Sequence, residues 1–177
     1  ESDKSVGERP LRNVAYDFNK LQIYWYNHWL KDEDNGVIER PFLTYYVMGE
    51  DRWRFSDQWP LAGTEYTRWY LDHSSGANSL SGDGVLTLKK PDENKEDRFT
   101  YDPGNPVPSL GGHTCCTGSD TEAGGYDQTQ IEMRRDVLVY TSSTLKEGIE
   151  HTGLLKPHPT VNSTSQHTDF TVYPVDI

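Results

Sequence analysis

His113, Cys115 and Cys116 stand together in the stretch SLGGHTCCTG, residues 109–118, and the chain has no other cysteine. Two thiols beside an imidazole are raw material for a metal site, a bridge or a nucleophile. Zinc sites space their cysteines by two or more residues so that both thiolates reach one tetrahedral ion, whereas an adjacent pair points its side chains apart. Neighbouring cysteines also bridge poorly, because the ring they close is small and strained. A nucleophilic cysteine needs a base or a helix N-terminus to lower its pKa, and the acidic surroundings suggest neither. The local reading is two small apolar residues packed under a glycine-rich loop. His28, His73, His151, His158 and His167 show no ligand spacing, so neither a metal nor a cofactor is expected.

The other residue types capable of chemistry are serines and aromatics. A hydrolase nucleophile sits on a sharp turn of the form Gly-x-Ser-x-Gly. The nearest stretch, GANSLSG at 76–82, has the wrong spacing and no helix to follow. Trp53, Trp59, Trp69, Tyr66 and Tyr70 are the material of a sugar-stacking platform, but aromatics in strands more often fill a core.

The whole chain narrows the partners. Its 177 residues carry 17 basic and 28 acidic side chains, a formal charge of -11. That excludes nucleic acid as an expected partner, since phosphate binding needs clustered Lys and Arg. It also argues against an anionic membrane surface. No apolar run approaches the roughly 20 residues of a membrane span. The polar start ESDKSVGERP is no signal peptide. It has no initiating Met, and the expectation is a processed chain or a piece of a longer one. Two adjacent cysteines leave the redox compartment undetermined. A soluble protein, cytoplasmic or secreted, is expected, with its oligomeric state open. Asn162 begins a glycosylation sequon, a triplet common by chance.

The elements that must position these residues fall into two textures. Residues 1–12 are polar and extended. In residues 13–36, Val14, Phe18, Leu21, Trp25 and Trp29 recur at helical spacing, with Asn13 as N-cap and Asn35-Gly36 as stop. Ile23, Tyr26 and Leu30 place apolar surface on the remaining sides. Such a helix is buried or packs against two partners. Beyond Gly36, strands are expected at 41–49, 64–72, 82–90, 97–103, 136–142 and 168–177, separated by Gly/Ser/Asp/Pro loops. This is the texture of a β-sandwich or jelly roll. Residues 89–98 are a solvated charge run. Pro157, Pro159 and Pro174 cannot donate to a ladder, so their segments are edge strands or irregular.

Several stretches together resemble the cocaine esterase-like hydrolases, relatives of the Xaa-Pro dipeptidyl peptidases and α-amino acid ester hydrolases. They are YNHWLKDEDNGVIERPFLTYYVMGEDRWRFSDQWP, TRWYLDHSSGANSLSGDGVLT, YDPGNPVPSLGG followed by the cysteines, YDQTQIEMRRDVLVYTS, and TDFTVYPVDI. They run in order from about Val14, and as a set they are specific. Asp32, where glycine is common, and the three prolines depart from the pattern.

The resemblance implies a mainly β fold: a partial, galactose-binding-like jelly roll preceded by one helix from the end of an α/β-hydrolase domain. It divides the chain into that helix (1–36), a connecting strand and linker (37–63), and the first part of the jelly roll (64–177). It implies a segment of a serine hydrolase that cleaves ester or amide bonds through an acyl-enzyme. The catalytic triad would lie outside the chain, so the segment alone is expected to be inactive. The implied partners are a catalytic α/β-hydrolase domain, on the same or a separate chain, and a small ester or amide substrate. Under this reading Gly111, Gly112, His113, Cys115 and Cys116 line the substrate pocket and do no chemistry. The alternative is a stand-alone β-sandwich binding module, perhaps for carbohydrate.

Overall fold

The computed structural model describes residues 4–113 and 123–176. Its fold class is mainly β, with seven short strands in three small sheets, two α-helices and two short 3₁₀ turns among the described residues. Much of the chain between them is irregular and turned.

The N-terminal residues, expected to be extended, form a hairpin of β1 (Lys4–Val6) and β2 (Arg9–Leu11), with Val6 opposite Arg9. Gly7 makes the reversal at a φ of 70°, a left-handed conformation that suits tight hairpin turns and strains other residues. Pro10 is tolerated because β2 is an edge.

The first helix, α1, spans Phe18–Lys31 rather than starting after Asn13. Asp17 is the cap, its carboxylate accepting from the Lys20 amide at 2.9 Å. Asn13 is committed elsewhere: its Nδ2 donates to the Asp51 carbonyl at 3.1 Å, and Asp51 Oδ1 accepts from the Arg12 amide at 2.9 Å. The stop also moves forward, to Asp32 in a left-handed conformation. Asn35 instead donates from Nδ2 to the Tyr24 carbonyl at 2.8 Å, folding the loop back on the helix. No residue of α1 is buried. Trp25 and Trp29 pack on each other with ring centroids 5.8 Å apart, yet stay 50% and 58% exposed.

The region expected as one strand and a linker is a hairpin. Strand β3 (Leu43–Val47) pairs with β4 (Arg52–Ser56) over five residue pairs. Tyr46 and Trp53 face each other across it at 5.2 Å, and Tyr16 closes on Trp53 at 4.8 Å. Such aromatic pairs hold a hairpin together beyond its backbone bonds.

The third sheet orders β5 (Tyr70–Asp72), β6 (Val85–Thr87) and β7 (Thr141–Ser142), antiparallel and then parallel. Each is shorter than its expected span, and backbone pairing explains one of the losses. The Ala77 carbonyl accepts from the Val139 amide at 2.8 Å and the Val137 carbonyl accepts from the Ser79 amide at 2.8 Å, so residues 137–139 pair with a turn and not with a strand. No strand forms at 97–103. There the Arg98 carbonyl accepts from Asn78 Nδ2 at 2.9 Å and the Asp97 carboxylate takes the Ala77 amide at 2.8 Å. Residues 168–176 form no strand either; Pro174 has no amide to give. A four-residue helix, α2 (Thr129–Glu132), was not expected. Among the described residues, the buried hydrophobic side chains are Leu11, Val37 and Ala77, with Ala77 fully covered.

Candidate functional site

Glycines on either side of the cysteine stretch, Gly111 and Gly112 before it and Gly124 and Gly125 after it, form a short stem. The Gly112 amide donates to the Gly124 carbonyl at 2.7 Å, and the Gly124 amide returns a bond at 2.9 Å. Gly111 is buried at a φ of 70°. A Cβ there would meet the Gly124 carbonyl oxygen and come within 2.6 Å of the Tyr126 ring. Gly112 has a φ of 80° but faces open space. The first glycine permits close approach and the second supplies the turn.

The stem is fastened to the N-terminal hairpin. The Glu8 amide donates to the Gly125 carbonyl at 2.8 Å, and Glu8 Oε2 accepts from the Asp127 amide at 2.9 Å. A Cβ on Gly7 would overlap the Gly125 backbone, with its nitrogen at 2.8 Å. Gln128 Nε2 donates to the Leu110 and Tyr126 carbonyls at 3.1 and 3.0 Å. Among the expected pocket residues, Gly111, Gly112 and His113 therefore meet at the mouth of the loop, with Gly112 and His113 exposed. Cys115 and Cys116 lie outside the described residues.

A second polar cluster surrounds Ala77. Asp83 accepts from the Ser74, Ser75 and Gly76 amides at 3.2, 2.8 and 2.9 Å. These backbone bonds, that of Gly76 first, hold its carboxyl below the usual aspartate range against an opposing desolvation. Asp97 takes the Ala77 amide on one oxygen and the Tyr140 hydroxyl on the other, at 2.8 and 2.5 Å. Burial, and then the bond to Asp97, push the Tyr140 phenol up. His73 Nε2 sits 3.4 Å from Asp97 Oδ2, and both ring nitrogens are buried without a hydrogen-bond partner.

This cluster has the residue types of a hydrolase but not the arrangement. Ser79 is buried at a φ of 68°, and its Oγ lies 2.9 Å from Ser81 Oγ. A triad needs a serine hydroxyl on a histidine ring that a carboxylate orients. Among the described residues no serine hydroxyl bonds to a histidine ring. Nor does any group of three or more His, Cys, Asp or Glu among them offer a metal site. The aromatic platform is not assembled. Trp53 joins the hairpin, while Trp59 and Tyr66 are 50% and 69% exposed and stack on nothing described.

Residues 35–177 match the model of the X-Pro dipeptidyl-peptidase C-terminal non-catalytic domain. The chain belongs to that domain family. It is 37% identical to the cocaine esterase of a Rhodococcus species over 86% of its own length and 26% of that enzyme's. It is 28% identical to proposed serine esterases of Mycobacterium bovis and Mycobacterium tuberculosis over 95% of its length and 26% of theirs. The chain thus spans about a quarter of the length of these relatives. The resemblance to the C-terminal part of cocaine esterase-like hydrolases is borne out. The match begins after α1, at the residue that folds back onto that helix. No helix among the described residues is long and apolar enough to cross a membrane.

Sequence reasoning missed the cluster at His73, Asp83, Asp97 and Tyr140 because its members lie far apart in the chain. The stretch SSGANSLSGDG, residues 74–84, carried a usable signal. Small residues followed by aspartate are how a carboxylate comes to collect several backbone amides.

Proposed function

We propose that this chain is the C-terminal, non-catalytic portion of a serine hydrolase that cleaves ester or amide bonds through an acyl-enzyme. The match of residues 35–177 to a non-catalytic domain, in a chain similar to named esterases, carries this reading. The Ser-His-Asp triad and its oxyanion hole would belong to an α/β-hydrolase domain, on the same or a separate chain, that this portion packs against. In the domain division that goes with it, residues 1–36 contribute, through α1, the last helix of the catalytic domain, 37–63 the connection, and 64–177 the jelly roll. The exposed tryptophans of α1 would then be covered by that domain.

The glycine stem gives the portion its role. Its backbone bonds fix the two ends of the cysteine stretch, and on this reading Cys115 and Cys116, with Gly111, Gly112 and His113, wall the acyl-binding pocket. A dry wall strengthens the oxyanion and Ser-His electrostatics and selects acyl groups by shape.

The test uses the whole enzyme that contains this chain. A fluorophosphonate should abolish ester or amide turnover and label a serine outside residues 1–177. A labelled serine inside this segment, or turnover with no labelled serine, overturns the proposal. The wall is tested separately with Cys116→Ala and Cys116→Trp, reading kcat/KM for a small and a large acyl group. A pocket wall should change the ratio by about tenfold or more, the scale of a methylene or larger change in an apolar pocket.

A further inference from the structure

We infer that the groove between the 98–105 loop and the 134–136 segment is a binding site for a small organic monocarboxylate that carries an apolar group. The groove is a solvent-open depression of about 760 Å³, lined among others by Ser81, Arg98, Phe99, Thr100, Arg134 and Arg135.

Its floor is built rather than accidental. Asn78 Nδ2 donates to the carbonyls of Arg98 and Arg135 at 2.9 and 3.1 Å, so one side chain ties both walls together. The Leu80 amide donates to the Glu132 carbonyl at 2.7 Å and fixes the turn beneath them.

The charge balance selects the ligand. Arg134 is held by both oxygens of Asp136 at 2.8 and 2.7 Å and by the Asn105 carbonyl at 2.7 Å, with Asp102 also acting on it. Arg98 is held by Glu96 at 3.0 and 3.2 Å. Arg135 is exposed and makes no ion pair or side-chain hydrogen bond with any described residue. One guanidinium is therefore unpaired among the described residues. A carboxylate matches it in charge and in planar, two-pronged shape. A dianion would find one free cation for two charges, and a neutral sugar would leave Arg135 unanswered. Ser79 and Ser81 share one hydrogen bond between two hydroxyls, which leaves a proton to donate to the ligand. Phe99, 42% exposed at the groove, offers the apolar contact.

The carboxylate has two sources, a free acid or the C-terminus of a peptide, and the experiment separates them. Whole enzyme already inactivated by fluorophosphonate is titrated calorimetrically with phenylacetate, with its neutral isostere phenylacetamide, and with a short peptide ending in a free-carboxylate Phe. Phenylacetate should saturate. Phenylacetamide and the Arg135→Gln variant should each weaken binding by about tenfold or more, the value of a charge-assisted bond. Phe99→Ala should weaken it less. Lys146→Gln, which removes another exposed and unpaired cation, should change nothing. Tighter binding of the peptide would assign the site to a polypeptide C-terminus and overturn the small-acid assignment. Absence of saturation, or equal losses in Arg135→Gln and Lys146→Gln, overturns the site altogether.

Discussion

Alanine at Gly111 and alanine at Gly112 pose the same conformational problem but not the same steric one. Both residues have a left-handed φ, 70° and 80°, which costs an L-residue about 1–2 kcal/mol. At Gly112 the new Cβ enters open space, and nothing more is lost. At Gly111 it would strike the Gly124 carbonyl and the Tyr126 ring. The stem has to open, and the two bonds between Gly112 and Gly124, at 2.7 and 2.9 Å, are strained or broken. Each is worth about 0.5–1.5 kcal/mol, so Gly111→Ala should cost about 1–3 kcal/mol more than Gly112→Ala. Hydrogen exchange at the Gly112 and Gly124 amides in the whole enzyme reads this directly. Their protection should fall about 5- to 150-fold further in Gly111→Ala, at 1.4 kcal/mol per decade. Gly112→Asn should recover part of the smaller loss, because asparagine tolerates the left-handed region. Equal losses at the two positions would refute the assignment of close approach to Gly111.

The remaining predictions concern the second cluster and α1. Asp83 has its carboxyl held low in the folded state by three backbone amides. Its contribution is therefore present above the ordinary aspartate range and fades as pH falls through the folded value. Asp83→Asn should lower stability at neutral pH and flatten its acid limb; an unchanged limb in denaturant titrations at several pH values rejects this. Tyr140→Phe removes the donor to an Asp97 side chain only 5% exposed and should cost about 1.5–3 kcal/mol, read as a lower denaturation midpoint at unchanged slope. Trp29→Glu would cost within about 0.5 kcal/mol if the residue faced water as a surface site. In the whole enzyme it should cost several times more, because the catalytic domain would cover a tryptophan that is 58% exposed in this chain. A silent Trp29→Glu would argue against the helix as a docking face.

The sequence was legible where a signal was local. The period of Phe18, Leu21, Trp25 and Trp29 located α1, and Pro41 and Gly49 bracketed β3. Helix ends were less legible because caps compete. Asn13 has the chemistry of an N-cap, but Asp51, distant in sequence, engages its side chain. Strand β4 was missed although RWRFS alternates, with arginines at 52 and 54. In the fold they serve the hairpin by flanking Glu50, each at 2.5 Å. The strand expected at 97–103 failed for a related reason. Asp97 and Arg98 have strand-like neighbours, but a turn twenty residues upstream takes their polar groups.

Gly111 and Gly112 were expected to line a substrate pocket; in the stem one of them permits close backbone approach and the other sets the turn. What local spacing could not supply was the anchor. The stem is held by Gly7, Glu8 and Gly125, and two of these lie more than a hundred residues from the loop they fasten, in a stretch whose composition reads as an idle polar terminus. A loop that must keep its place against another domain gains from being fixed at its base by backbone bonds. Its own side chains then stay available to whatever it faces. On that view the terminal hairpin belongs with the loop at 113–123, and Gly7→Ala, which would drive a Cβ into the Gly125 backbone, should release the loop as Gly111→Ala does. The check is the same exchange measurement. Faster exchange at Glu8 with Gly112 and Gly124 left protected would separate the hairpin from the stem and refute the linkage.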